Sequence, residues 1–261
     1  YVSKFIEYNL SVNLTEAESQ KYDYYTNSIG TNGGKFGKWN QIETANKLLT
    51  DTSFVFALAT QYGWTKTMDL SVQANADIYN NYSPAKLIGY AKAYMNAVRD
   101  RKDLLYSATN KLIKAREIAI KFENLKTIFF SQSTNFADAL CSTINNYYRD
   151  NNIVTDTIPC VVYHSQLQTL IYTDSSGKQK KKGKVVLKRE AIENIRTGRA
   201  RRISTASSLD KGFDVQDIKL GVTTSGTQNP TQASQRKGRS IRIDFYEKDN
   251  TVLIINLYVP N

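Results

Sequence analysis

Residues 126–140 read K-T-I-F-F-S-Q-S-T-N-F-A-D-A-L, and this stretch decides the fold class. The run T-I-F-F at 127–130 is short and continuously apolar, which is typical of a strand that is buried on both faces of a parallel sheet. Small polar residues follow at 131–135, and a helix is predicted over about 135–149. Strand, polar turn and helix in this order indicate a βα unit, and therefore an α/β fold.

The same alternation continues toward the C-terminus. Further elements are predicted at these positions: strands at 161–163, 203–205, 220–222 and 252–259, and a helix at 190–195. Residues 185–187 are expected to pair with 170–172, as a hairpin-like insertion around the D-S-S-G turn at 174–177. We expect a parallel sheet of about six strands between helices.

The first hundred residues have a different pattern. Polar and apolar side chains alternate over 8–14 and predict a strand, and Thr15 followed by two glutamates is typical of a helix start. The other predictions for this part are helices over 16–27, around 48–57, over 85–99 and over 101–122, with a glycine-rich turn at 30–37. We therefore divide the chain into a strand with a helical leader or insertion, 1–109, and an α/β domain, 110–261.

The charge balance indicates a polyanionic partner. Lys and Arg number 35 against 24 Asp and Glu, a net charge of +11, which favours nucleic acid before an acidic membrane surface. Cys141 and Cys160 lie in apolar contexts without metal-ligand spacing, so we expect buried, reduced thiols of a cytoplasmic protein and no metal site. The sequence has no signal peptide and no apolar run near the length of a membrane span, so we expect no membrane partner.

Two arginines near the C-terminal end have the spacing of a phosphate clamp. Residues 235–242 read Q-R-K-G-R-S-I-R, so that Arg239 and Arg242 lie close together on a helix or a tight turn. Guanidinium is planar, permanently charged and bidentate toward phosphate, which suits it to neutralise a transferring phosphoryl group. The alternative is a solvated basic face.

Three blocks together, at 126–140, 204–215 and 235–242, resemble motifs IV, V and VI in the second RecA-like domain of superfamily-two helicases. The nearest resemblance is to helicases of the phage and repair type, and translocases of the chromatin-remodelling type come next because of the helical leader. The resemblance is specific from about 110 to 260 and looser before that. It implies a RecA-like parallel sheet flanked by helices and preceded by a mainly helical subdomain. It also implies the C-terminal motor domain of an ATP-dependent DNA helicase or translocase, with a first RecA-like domain of the same protein as partner.

The resemblance assigns nucleotide roles to the two C-terminal blocks. Arg239 and Arg242 resemble the arginine fingers that reach the γ-phosphate of ATP, where a cation stabilises the charge of the transition state. Asp214, in G-F-D-V, resembles the family residue that reaches the ribose or orders motif VI, the alternative being a helix or turn cap. The expected nucleotide-binding residues are Gln235, Gly212, Asp214 and Gly238.

Nucleic-acid contacts are expected at the ends of the strands and on the insertion. The residues expected to approach the phosphate backbone are Ser131, Ser133, Thr134, Thr205 and Ser207, although Ser133 or Thr134 can instead cap the helix. Residues 178–202 hold eleven Lys or Arg and two Glu. Within them Lys180, Lys181 and Lys182 either contact the backbone or form a solvated hairpin tip, in a connection that is shorter in the commonest family pattern. His164, the single histidine, is expected to be structural.

The sequence lacks the other half of an ATPase site. It contains neither G-x-x-x-x-G-K-[ST] nor D-E-x-[HD], so ATP with Mg²⁺ is expected to be bound mainly by the first RecA-like domain. We expect this chain to hydrolyse no ATP by itself, and its start at Tyr1 favours a piece of a longer protein. The expected location is the cytoplasm, which is the host cytoplasm if a phage encodes the protein.

Two other classes of function compete with this interpretation. A non-enzymatic basic nucleic-acid-binding or virion structural protein would use its cations only for phosphate contacts. Such a protein has no reason to carry three family motifs, in order, at the ends of successive strands. A nuclease is disfavoured because Asp244 and Glu247 lack the spacing of a metal-dependent site. DNA is the expected partner, and RNA remains an alternative.

Overall fold

The computed structural model describes residues 4–36, 41–61, 84–206, 217–225 and 251–260. The chain divides into two compact units, which are treated separately below. One unit is Glu16–Leu104, and the other combines Tyr1–Thr15 with Leu105–Asn261.

The described elements follow one another in this order: β1 Lys4–Ser11, α1 Glu16–Gly33, a 3₁₀ turn Gly34–Phe36, α2 Gln41–Thr50, α3 Thr52–Gln61, α4 Pro84–Ser107, α5 Thr109–Lys121, β2 Thr127–Ser131, α6 Thr134–Asp150, β3 Val161–Tyr163, β4 Leu170–Thr173, β5 Gln179–Lys182, α7 Lys184–Arg196, β6 Arg202–Ala206, β7 Leu220–Thr223 and β8 Thr251–Tyr258.

The larger unit contains a six-stranded sheet in the order β1-β8-β7-β2-β6-β3. Every pairing in it is parallel. With three flanking helices, α5, α6 and α7, it confirms the α/β class and the predicted number of strands. The mainly helical region near the N-terminus is confirmed as well. β1 pairs with β8, so the first strand belongs to this sheet.

Strand β2 lies at the centre because it is apolar on both faces. All five of its residues are buried. Phe129 points to one face, where it packs with Phe136 and Leu140 of α6. Ile128 and Phe130 point to the other face. An unbroken apolar run therefore serves two cores at once, as the sequence predicted.

The smaller unit is held together by its own apolar cluster. Ala45 and Leu48 of α2 pack with Leu87, Ala91 and Tyr94 of α4. The three- and four-residue spacing within each helix places these side chains on one face. The apolar stripes of this unit therefore serve helix packing.

Three predicted boundaries of the helical region are wrong. The helix predicted around 48–57 is two helices, because the carboxylate of Asp51 accepts a hydrogen bond from the amide of Phe54 and starts α3. The helix predicted over 101–122 breaks at Ala108, whose ψ of 128° is extended. The prediction of a glycine-rich turn at 30–37 is wrong for residues 30–33, because α1 continues through Gly33. Gly33 packs closely on α2, since a Cβ atom added there would lie 2.8 Å from Oε1 of Gln41.

The predicted pairing of the hairpin insertion is also wrong. β4 pairs in antiparallel fashion with β5, so that Leu170 lies opposite Lys182, and residues 185–187 instead belong to α7. The turn explains the difference. The Oδ1 atom of Asp174 accepts hydrogen bonds from the amides of Ser176 and Lys178, at 2.9 and 3.0 Å, and thereby brings the chain back at 179.

Candidate nucleic-acid and nucleotide interface

Four strands of the sheet end together. Ser131 of β2 is in register with Ala206 of β6, Phe130 with Thr223 of β7, and Tyr163 of β3 with Thr205. The strands β2, β3, β6 and β7 therefore end on one side of the sheet, which we call the carboxyl edge. In open α/β sheets, ligands bind outside the carboxyl ends of the strands.

Ser131 and Thr205 use their hydroxyls inside the protein. The Oγ atom of Ser131 donates to the carbonyl oxygens of Ser133 and Thr205, at 2.8 and 3.0 Å. The Oγ1 atom of Thr205 donates to the carbonyl of Phe129 at 2.9 Å, and both side chains are buried. These hydroxyls join β2 to β6 and shape the turn after β2. The nucleic-acid contacts predicted for the two residues remain predictions.

The turn after β2 starts helix α6 in the expected way. Ser133 is the N-cap, and its Oγ atom accepts a hydrogen bond from the amide of Phe136 at 3.2 Å. The alternative that one of the two polar residues caps the helix is therefore correct for Ser133. Thr134 donates from Oγ1 to Oε1 of Gln166, at 2.9 Å, and so joins the start of α6 to the loop after β3.

His164 holds the loop after β3. Its Nδ1 atom accepts from the amide of Gln166 at 3.2 Å, so Nε2 carries the hydrogen and donates to Oδ1 of Asp138 at 2.9 Å. The side chain of His164 is 1% exposed, whereas that of Asp138 is 51% exposed. The imidazole therefore positions Gln166, and through it Thr134, which agrees with the structural role expected for the histidine.

Sequence reasoning missed four residues of the carboxyl edge: Asp138, Gln166, Thr224 and Ser225. Ser225 accepts at Oγ from the amide of Gln132, at 2.8 Å, and Thr224 donates from Oγ1 to the carbonyl of Phe130, at 3.0 Å. Both side chains are fully buried. A signal was present, because two small hydroxyl residues follow directly on the apolar strand β7.

The basic hairpin β4–β5 has internal ion pairs. Lys180 lies 2.9 Å from Oδ2 of Asp174, and Lys182 lies 2.8 Å from Oε1 of Glu190 on α7. The hydrogen bond to Glu190 raises the pKa of Lys182 above its usual value. Lys181, on the opposite face of β5, is exposed. The three lysines predicted as one group are therefore in different environments.

Helix α7 carries a second group of cations beside β3. A shallow pocket there is lined by Tyr163, Lys188, Arg189, Ile192, Glu193 and Arg196. The ammonium of Lys188 lies 4.7 Å from the centre of the Tyr163 ring, a cation–π distance. In the part of the chain that the structure describes, no cluster of His, Cys, Asp and Glu could hold a metal ion.

The residues predicted to contact nucleotide, and one of those predicted to contact nucleic acid, lie outside the described residues. They are Gly212, Asp214, Gln235, Gly238, Arg239 and Arg242, together with Ser207. The described neighbours are β6, which ends at Ala206, and β7 and β8, which flank the remaining block. None of the described helices has the length and apolar character needed to cross a membrane.

Comparison with known proteins identifies the fold and the family. The family described as the helicase conserved C-terminal domain matches residues 108–244. A DNA 3'-5' translocase, XPB2, of Sulfurisphaera tokodaii is 25% identical over 167 residues, which are 64% of this chain and 30% of that protein. The chain thus spans about a third of the length of this relative.

Two solved structures match this chain, and the first of them, with a TM-score above 0.5, is similar in fold. The crystal structure of the C-terminal part of the Fun30 ATPase domain has a TM-score of 0.51 and 12% identity, and covers 100% of this chain and 87% of that one. The Sulfolobus solfataricus SWI2/SNF2 ATPase core in complex with dsDNA has a TM-score of 0.48 and 13% identity, and covers 98% of this chain and 41% of that one. The chain belongs to the helicase conserved C-terminal domain family, in the superfamily-two group that its three motifs resemble.

Proposed function

We propose that this chain is the second motor domain of an ATP-dependent DNA helicase or translocase. The family match over 108–244 is the observation that carries the proposal, because that range contains all three blocks of the resemblance. DNA is proposed as the substrate from the net charge of +11 and from the relative named as a DNA translocase. In this proposal residues 110–261 are the helicase domain and 1–109 a strand with a helical insertion.

The carboxyl edge would grip one strand of the nucleic acid. The N-terminus of α6 presents backbone amides and the positive end of a 17-residue helix, which suits a phosphate group. Ser133 and Thr134 lie at this end. Ser131 and Thr205 would act less directly, since their hydroxyls hold the turn in shape. Ser207 would extend the contact along the loop after β6.

The ATP site would be shared between two domains. A first RecA-like domain would bind Mg²⁺ and the phosphates, and this chain would supply Arg239 and Arg242 as arginine fingers. The other nucleotide contacts would come from Gln235, Gly212, Asp214 and Gly238. Closure of the two domains over ATP, and their opening after hydrolysis, would move the grip along the strand.

The arginine fingers provide the test, in the full-length protein. Arg239→Ala and Arg242→Ala should keep nucleic-acid binding but lower kcat for DNA-stimulated ATP hydrolysis. A dominant arginine finger contributes roughly 10³- to 10⁵-fold in rate, and two fingers share this, so we expect the lower end for each. Lys at either position should rescue little, because it lacks the planar fork.

Arg199→Ala is the matched control, since Arg199 is an exposed arginine whose Nε donates to Thr197. It should leave kcat unchanged. A double Arg239→Ala/Arg242→Ala variant with wild-type kcat and weaker DNA binding would overturn the proposal. The two arginines would then be backbone contacts, as in a non-enzymatic nucleic-acid-binding protein.

A further inference from the structure

The β4–β5 hairpin is rooted at the carboxyl edge. The chain leaves the sheet after Tyr163, whose partner Thr205 lies one residue before the end of β6. It forms the hairpin and enters α7 at Lys184. The hairpin therefore follows the end of β3 on the side of the sheet where β2 and β6 also end.

The turn of the hairpin is held in shape by its own contacts. Asp174 accepts from the amides of Ser176 and Lys178 and from the hydroxyl of Ser176, and Gly177 has a φ of 80°, a value that favours glycine. These hydrogen bonds, chiefly the one from the Ser176 hydroxyl, hold the pKa of Asp174 below its usual value. A ribbon that is shaped in advance loses little freedom when it binds a partner.

The two faces of the ribbon differ. Opposed residues of an antiparallel pair share a face, so Tyr172 lies with Lys180 and Ile171 lies with Lys181. On the first face the ammonium of Lys182 covers the Tyr172 ring at 5.2 Å and is paired with Glu190. On the second face Ile171 is 58% exposed.

The second face, which we call the outward face, carries one cation of β5. Lys181 lies on it, and Lys178 lies at the turn. Among the residues that the structure describes, neither has a carboxylate within ion-pair distance, whereas Lys180 and Lys182 each have one. The whole stretch 178–202 has eleven cations and two carboxylates. The complementary partner is a polyanion.

The shape and composition of the ribbon favour duplex DNA over single strands and RNA. The outward face pairs Ile171 with Lys181 and Thr173 with Gln179, so it offers no aromatic ring for a base to stack on, as single-strand sites do. A two-stranded ribbon fits the major groove of B-form DNA, which is about 12 Å wide. The major groove of A-form RNA is too narrow for it.

We propose that the β4–β5 hairpin binds duplex DNA, with its outward face in a groove and with Lys178 and Lys181 on the flanking phosphates. Lys180 and Lys182 then hold the ribbon to its own turn and to α7. This inference rests on the proposed function, since it adds a duplex contact to a motor that grips one strand elsewhere. The contact is independent of base sequence.

The test compares two double variants of the full-length protein. Lys178→Ala/Lys181→Ala removes the cation at the turn and the cation of the outward face, and Lys114→Ala/Lys121→Ala removes two lysines of α5 as the matched control. Binding is measured against salt concentration for a blunt DNA duplex, a single strand and an RNA duplex. Each phosphate contact contributes about 0.9 to the slope of log K on log salt, so the first variant should lower the slope for duplex DNA by about 1.8.

The control should change that slope little, and the first variant should bind single strands as the wild type does. An unchanged duplex slope would show that both lysines are merely solvated. An equal loss of affinity for duplex and single-stranded DNA would show that the hairpin contacts single strands. If the wild-type protein bound an RNA duplex as tightly as a DNA duplex, the fit to the B-form groove would be refuted. Each of these outcomes overturns the proposal.

A second variant replaces residues 170–182 by a Gly-Ser linker. Loss of duplex binding, with single-strand binding and thermal unfolding unchanged, supports the proposal, and retained duplex binding overturns it. DNA-stimulated ATP hydrolysis distinguishes a failure of the hairpin inference from a failure of the proposed motor function. If single strands stimulate hydrolysis while the hairpin variants bind duplex normally, then the ribbon inference fails and the proposed motor function stands.

Discussion

Arg202 is the largest side chain among the fully buried residues that the structure describes. Its guanidinium donates at 3.0 Å to each of three acceptors, the carbonyls of Ala119 and Pro159 and the hydroxyl of Tyr148. It also lies 5.5 Å from the centre of the Tyr148 ring. One residue at the start of β6 thus joins α5, α6 and the loop before β3. Arg202 therefore has a structural role, although it belongs to the basic stretch 178–202 of the sequence.

We expect Arg202→Ala to lower the free energy of unfolding by about 3–5 kcal/mol, because it leaves buried acceptors without donors. Arg202→Lys should recover less than half of this, since one ammonium cannot replace the fork. Urea unfolding followed by circular dichroism measures both. The control is Arg201→Ala, which removes an exposed neighbour with one 3.3 Å bond to Asn124 and should cost about 0.5 kcal/mol or less. Equal losses at the two positions would refute this role.

Lys111 is a buried cation with a carbonyl partner. It is 4% exposed, its Nζ donates to the carbonyl of Leu105 at 2.9 Å, and burial lowers its pKa to about 8. An unfolded lysine titrates near 10.5. Between these two values the unfolded chain holds the proton that the folded protein has lost, so stability from this residue rises with pH. Below pH 8 the buried charge destabilises the fold.

Lys111→Met should therefore stabilise the protein at pH 7, by about 1–2 kcal/mol after the lost hydrogen bond is subtracted. At pH 10 the advantage over the wild type should largely vanish, because the lysine is then mostly neutral when folded. Urea midpoints of both proteins at the two pH values give the result. Lys114→Met, at an exposed position of the same helix, should change neither midpoint. A gain that is the same at both pH values would contradict the assignment to charge burial.

At the scale of elements, the sequence predicts a strand best where the strand is apolar and buried on both faces. The apolar run of β2 predicts a central strand, and all five of its residues are buried. β6 is also fully buried, although it contains Arg202, Ser204 and Thr205. The strand β5 could not be predicted in this way. Its residues, Q-K-K-K, are polar, and its pairing depends on the carboxylate of Asp174 and on Gly177 rather than on an apolar pattern.

The sequence predicts where the polar residues of the candidate site lie, but not the direction in which their side chains point. Polar residues after an apolar strand indicate the carboxyl edge, and Ser131, Ser133 and Thr134 lie there. The sequence does not show that the Ser131 hydroxyl turns inward to the carbonyl of Thr205, since either direction satisfies its hydrogen bond. The pairing of His164 with Asp138 is equally hidden, because 26 residues separate them along the chain.

At the scale of the whole molecule, the positive charge is unevenly used. Arg202 is committed to the core and Lys180 and Lys182 to ion pairs, so the surface potential of the basic stretch comes from fewer cations than its composition indicates. Among the described residues, Lys178 at the turn of the hairpin and Lys181 on its outward face have no carboxylate within ion-pair distance. The cations of the basic stretch 178–202 therefore do not form one uniform surface patch.

For ATP hydrolysis, the 261-residue sequence lacks the two motifs that bind the phosphates and Mg²⁺ in such motors. It has no G-x-x-x-x-G-K-[ST] and no D-E-x-[HD], so it cannot by these means place Mg²⁺ on the phosphates or orient the attacking water. We expect the purified chain to bind ATP weakly and to hydrolyse none above background, with or without DNA. Phosphate release and equilibrium binding of a labelled nucleotide provide the measurements.

Full-length protein, assayed in parallel, should hydrolyse ATP when DNA is present. The chain carrying Arg239→Ala and Arg242→Ala is assayed beside the unsubstituted chain and shows whether any turnover depends on the groups through which this half of the site would act. Turnover by the chain alone that survives both substitutions would mean that hydrolysis proceeds without the fingers. The two-domain site would then be refuted, even though the membership of the family stands, because fold and sequence match do not depend on which domain holds the phosphates.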